Sequence, residues 1–233
     1  MRGCLSVIVI AALFIFGAIW FGGPPLAGTV VQATLTGSGF TAAETDVDVD
    51  ADPPLTLVAG RADRITIHAT DVLWHGLQAG TMTLAIDDVD LFARTAGHVE
   101  GSFEDVELRT ESGSAIPVTI AIDGPANGAE TTIRVARATM ERLALAAFEE
   151  QFNTKADHVA LVAPNEVRFR IGEQTVGAKL ELSEDGVVTA KSALGTVRLV
   201  AADPAFPIEL SGLAVADDGL SIEGVMDVAS LLR

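Results

Sequence analysis

"TDVDVDADPP", residues 45–54, sets Asp46, Asp48, Asp50 and Asp52 at every second position, with Val47 and Val49 between the first three. Acids at this spacing fit either a calcium loop or an extended strand. An EF-hand type loop turns on a Gly at its sixth position and closes with a bidentate Glu at its twelfth. Counted from Asp46, those places hold Ala51 and Leu57, and Pro53 and Pro54 stiffen the chain between them. In a strand, successive side chains alternate between faces, so the valines go to one side and the acids to the other. The spacing predicts a strand with a solvated acidic face.

The same period recurs along the chain. Ile65, Ile67 and Ala69 interleave with Arg64, Thr66, His68 and Thr70, and Met82, Leu84 and Ile86 with Thr81, Thr83 and Asp87. It continues in Ile116 to Ile122, Ile133 and Val135, Val167 to Ile171, Leu180 and Leu182, Val197 and Leu199, and Leu220 and Ile222. These are amphipathic strands with one wet face each. "SEDG" at 183–186 and "ADDG" at 216–219 read as hairpin turns. One stretch breaks the rhythm. In "TMERLALAAFEEQFN", residues 139–153, Met140, Leu143, Ala144, Ala147, Phe148 and Phe152 form a single helical stripe, which predicts a helix over 139–152 with Thr139 as N-cap and Asn153 near its stop. A weaker helix is expected within "LAGTVVQATLTGSGF", residues 26–40, after the stiff spacer "GGPP" at 22–25.

About ten one-sided strands expose more apolar surface than one or two helices can cover. The sheet must therefore curl or split. The expected fold class is α+β, a long, strongly curved antiparallel sheet wrapped around one or two helices and preceded by an N-terminal transmembrane helix. Aromatics are 5% of the chain and Tyr is absent, so large fillers are scarce. An apolar groove or tunnel and a collapsed core of Val, Leu and Ile both remain open.

The transmembrane expectation comes from "LSVIVIAALFIFGAIWF", Leu5 to Phe21, which is uncharged and as a helix would be about 26 Å long, close to a bilayer's hydrocarbon thickness. Arg2 precedes it and no Lys or Arg follows until Arg61, which places the N-terminus in the cytoplasm and the rest outside a cell membrane crossed once. Residues 1–23 are expected as a membrane anchor or signal segment, and 24–233 as one extracytoplasmic domain. The sites after the apolar run suit a signal peptidase poorly, which favours the anchor. Cys4, the only cysteine, lies ahead of that run, so disulfides cannot stabilise the domain. With 32 acids against 15 bases the formal net charge is −17, which excludes a basic nucleic-acid footprint and opposes tight electrostatic docking on an anionic bilayer.

Against this background "VDVDADPPLTLVAGRADRITIHATDVLWHGLQAGTMTLAIDDVDLF", residues 47–92, resembles the LmeA-like family of phospholipid-binding envelope proteins. The features that carry it are the alternating Val strand ending in Pro and Leu, the Gly60-Arg61 pair, the strands closing in "ATDV" and "DDVDL", and the later order of "SFEDVEL", an amphipathic helix and a strand-rich tail. The resemblance spans most of residues 24–233 and implies a curved sheet around helices, of the tubular lipid-binding type, with a cavity for acyl chains. It brings no catalytic residues.

Catalytic and metal chemistry finds no constellation. His68, His75, His98 and His158 lack zinc-type spacing and cysteine companions, no G-x-S-x-G elbow or phosphate-binding Gly loop is present, and adjacent acids such as Asp87 and Asp88 do not define a cleft pair. No enzyme, metal or cofactor is expected. Trp74 fits either a membrane-interface residue or a cap on the core. The functional expectation is non-catalytic binding of phospholipid, or another long-chain envelope lipid, in an apolar groove lined by Met140, Leu143, Ala147, Phe148 and Phe152. On that reading Phe148→Asp weakens lipid retention more than secretion. The competing expectation is a scaffolding envelope protein with a packed core and no ligand.

Overall fold

The computed structural model describes residues 39–74, 77–109, 115–183, 186–201 and 208–228. The apolar run Leu5 to Phe21, and the weaker helix expected within 26–40 except for Gly39 and Phe40, lie outside the described residues. Among the described residues no helix is long and apolar enough to cross a membrane.

The acidic ladder is strand β1, Glu44–Asp50, with Val49 buried, Val47 half-buried and Asp46, Asp48 and Asp50 exposed. A short 3-10 helix, Pro54–Ala59, follows and ends on Gly60 in the left-handed region. Five strands then form an antiparallel meander: β2 Arg61–Trp74, β3 Leu77–Asp90, β4 His98–Arg109, β5 Ala115–Pro125 and β6 Ala129–Ala136. Helix α1, Arg137–Phe152, leads into a second meander: β7 His158–Val162, β8 Glu166–Ile171, β9 Gln174–Leu182, β10 Val187–Ser192 and β11 Gly195–Ala201. The chain returns through β12 Ile208–Val215 and β13 Gly219–Met226, and β13 pairs with β6.

Two sheets result, where one long sheet was expected. One has eight strands in the order β1-β2-β3-β4-β5-β6-β13-β12, the other five in the order β11-β10-β9-β8-β7. Helix α1 packs against β7 and β11, the two opposite edges of the smaller sheet, and against β6 and β13 of the larger. Five strands laid flat would span about 19 Å between edges, roughly twice a helix diameter. Helix α1, about 24 Å long, crosses this sheet from edge to edge, with Arg137 and Glu141 at β7 and Phe152 at the β10–β11 turn. One hydrophobic core runs through both sheets, from Phe40 to Val228.

The larger sheet bends by a device repeated in sequence. Thr70-Asp71-Val72, Asp87-Asp88-Val89 and Glu104-Asp105-Val106 each hold their middle Asp at positive φ, 50°, 54° and 52°. At each one the inward phase slips by one residue: β2 buries Ile65, Ile67 and Ala69 and then Val72 and Trp74, and β4 buries Val99 and Phe103 and then Val106 and Leu108. The slips align across strands. Asp71 faces Gly80 on β3, and a Cβ on Gly80 would lie 3.1 Å from that of Asp105 on β4. A second row runs from Asp63 through Asp88 to Gly97. Each row is a crease that increases local twist while keeping the apolar side inward. Asp tolerates the left-handed region better than a β-branched residue does. Asp105→Val is therefore expected to lower unfolding free energy by about 1–2 kcal/mol, and Asp105→Asn to leave it nearly unchanged, in chemical denaturation.

Helix α1 begins two residues before the position expected. Its N-cap is Ala136, without a side-chain cap, and Thr139 lies inside the first turn. The Arg137 amide instead donates to the Asp218 carbonyl of the β12–β13 turn at 2.9 Å, so a tertiary partner replaces the cap. Asn153 closes the other end at φ 47°, as the sequence predicts. Trp74 is buried and meets Phe40 edge-on at 6.1 Å, so it caps the core.

Candidate lipid site

At 100° per residue the expected lining residues separate around α1. Met140 and Phe148 lie on the buried stripe together with Ala144, which the lining expectation left out. Phe152 sits on one flank, while Leu143 and Ala147 sit on the other, and all three are half-buried against the core.

The Phe152 flank is closed. Phe148 stacks on Phe169 of β8 with centroids 4.4 Å apart and planes at 23°, and lies 4.8 Å from Phe152. Phe152 in turn covers Gly195 at the β10–β11 turn. On the same side, the Glu141 carboxylate accepts the Leu161 amide of β7 at 3.2 Å. This side of the helix is thus occupied by the protein's own aromatic rings. Leu143 and Ala147, beside Met140, face away from that stack.

The inward face of the eight-stranded sheet is the larger apolar surface. Ile67, Met82, Leu84, Phe103, Ile120 and Ile133 represent it, each at most 3% exposed. Gly101 leaves no room for a side chain: a Cβ there would be 2.7 Å from the Thr83 carbonyl oxygen and 2.8 Å from a Leu84 methyl. Strands β2 and β3 have 14 residues each, about 45 Å of extended chain. An acyl chain in one leaflet spans about 15 Å, half of the hydrocarbon thickness. Among the described residues Thr131, on the inward face of β6, is the buried polar side chain, and its hydroxyl donates to the Ala129 carbonyl over a long 3.4 Å. Among the described residues no group of three or more His, Cys, Asp or Glu is placed to hold a metal.

Sequence reasoning named the helix because its period stands out. It gave the inward sheet face only collectively, since the phase slips at Asp71, Asp88 and Asp105 interrupt the alternation that would have marked a continuous lining. The repeated Asp-Val dipeptide was the available signal.

Long antiparallel strands with one buried apolar face define a mostly-β protein. A model of the LmeA-like phospholipid-binding family matches residues 21–225, and the chain belongs to that family. No curated protein and no solved structure matches it.

Proposed function

We propose that the protein holds a phospholipid, or a related long-chain envelope lipid, without catalysis, its acyl chains lying along the inward face of the eight-stranded sheet beside Leu143 and Ala147. Membership of a phospholipid-binding family over residues 21–225 carries this reading. The apolar character of the inward face is compatible with it, and each acyl methylene moved out of water would contribute about 0.8 kcal/mol. The Leu5 to Phe21 segment is proposed to anchor the protein in a membrane with its bulk on the extracytoplasmic side, from its length, its lack of charge and the position of Arg2.

The test is solvent extraction of the purified full chain followed by mass spectrometry. Near-stoichiometric phospholipid is the expected result. An extract without lipid from a well-folded protein overturns the proposal in favour of a scaffold with a packed core. Ala147→Phe adds bulk to the half-buried flank away from the Phe148 stack and is expected to cut retained lipid at least twofold with little change in melting temperature.

A further inference from the structure

Seven large apolar side chains are exposed among the described residues, and four of them, Leu55, Val58, Leu91 and Phe92, gather at one end of the eight-stranded sheet. Two segments bring them together. Leu55 and Val58 lie on the 3-10 helix, and Leu91 and Phe92 open the β3–β4 turn; the Leu91 amide donates to the Gly60 carbonyl at 2.8 Å and the Phe92 ring lies over Gly60. Phe92 is nonetheless 78% exposed and Val58 64%.

The turn that presents Phe92 is built rather than slack. Asp90 accepts the Phe92 and Ala93 amides at 3.0 and 2.8 Å and the Arg61 Nε–H at 3.3 Å, and exchanges backbone hydrogen bonds with Thr95. The Ala93 amide leads the effects that hold the Asp90 carboxyl below its ordinary range.

Charge is uneven here as well. Between residues 3 and 133 the chain has four bases, and Arg61, Arg64 and Arg94 are at this end. Arg61 engages Asp90, and Arg64 engages Asp87 and Glu100, whereas Arg94, exposed and next to the apex, makes no ion pair or hydrogen bond among the described residues.

An apolar apex with an exposed guanidinium beside it matches the boundary between phospholipid headgroups and acyl chains, where apolar side chains insert and Arg reaches phosphate. A second copy of the chain fits less well, because four side chains fall far short of the ~800 Å² per partner of a stable interface and the two copies would oppose like charges.

We propose that this tip docks on a phospholipid bilayer, with Phe92 and Val58 entering the acyl boundary and Arg94 meeting headgroup phosphate. Insertion rather than net charge drives the contact, so it operates on a neutral bilayer despite the chain's −17. The purpose of docking rests on the lipid-binding reading above, but the contact itself does not.

The experiment uses the full chain with Cys4→Ser, carrying an environment-sensitive fluorophore at Ala93→Cys or, for comparison, at Glu173→Cys in the exposed β8–β9 turn. Each protein is reconstituted into phosphatidylcholine vesicles with brominated acyl chains. Quenching at 93 is expected to exceed that at 173 at least threefold, and to fall to the level at 173 when Phe92→Asp and Val58→Asp are added. Equal quenching at both sites overturns the proposal, as does a fluorophore at 93 that is shielded from water but not quenched by bromine while an amine-reactive cross-linker captures the protein as a dimer. Quenching at 93 with a lipid-free solvent extract would remove the cargo reading and leave docking intact; lipid in the extract without quenching would do the reverse.

Discussion

Phe148→Asp is expected to abolish folded protein rather than empty a lipid site. The ring is 1% exposed, stacked on Phe169 and bordered by Phe152, with Met140 and Ala144 on the same stripe at no measurable exposure. Truncating such a ring costs about 3–5 kcal/mol through lost burial and the cavity left behind. A carboxylate in its place adds an unpaired charge in apolar surroundings, or a protonated group without a partner. Together these consume most of the roughly 5–15 kcal/mol that keeps a domain folded. Yield and circular dichroism of the variant are the measurements, with Phe148→Leu as the tolerated control. A well-folded Phe148→Asp protein that has lost only its lipid would make the ring a groove wall, as the helical period alone suggested.

Arg137→Met carries the second large effect. The guanidinium donates to the Leu161 carbonyl on β7 at 2.9 Å, to Ala216 at 2.7 Å and to Asp217 at 3.0 Å, both in the β12–β13 turn. One side chain thereby ties the helix start, the edge of the five-stranded sheet and the last hairpin of the eight-stranded sheet. Glu141 sits 3.6 Å away, linked to β7 through the Leu161 amide. A charge-assisted hydrogen bond contributes about 1.5–3 kcal/mol. Because the side chain is 35% exposed, the sum is discounted to about 2–4 kcal/mol for the variant. Lys is expected to restore little, since a single ammonium lacks the planar fork that reaches three carbonyls. Hydrogen exchange should quicken first at 158–162 and 213–221; uniform loss of protection would show that Arg137 supports global stability without joining the sheets.

Gly219 reinforces the same junction. A Cβ there would collide with the Val135 carbonyl and approach the Arg137 amide to 2.7 Å, so the close pairing of β13 with the end of β6 requires a residue without a side chain. The "ADDG" turn was legible in the sequence as a hairpin. Its second role, as the acceptor surface for the Arg137 side chain and amide, was not, because Ala216 and Asp217 are 79 and 80 residues from Arg137 along the chain and Asp218 is one further.

Local periodicity by itself determined the strand character of 45–50, the amphipathic strands that follow, and the helix with its stop at Asn153, because each depends on side chains only two to four residues apart. The tertiary structure alone decided that the strands divide into two sheets, that β13 returns to β6, and that α1 starts at Arg137. It also decided that Phe148 faces Phe169 while Leu143 turns the other way. Those outcomes depend on which distant backbone groups satisfy one another and which apolar faces meet, and a two- or four-residue repeat contains no information about either.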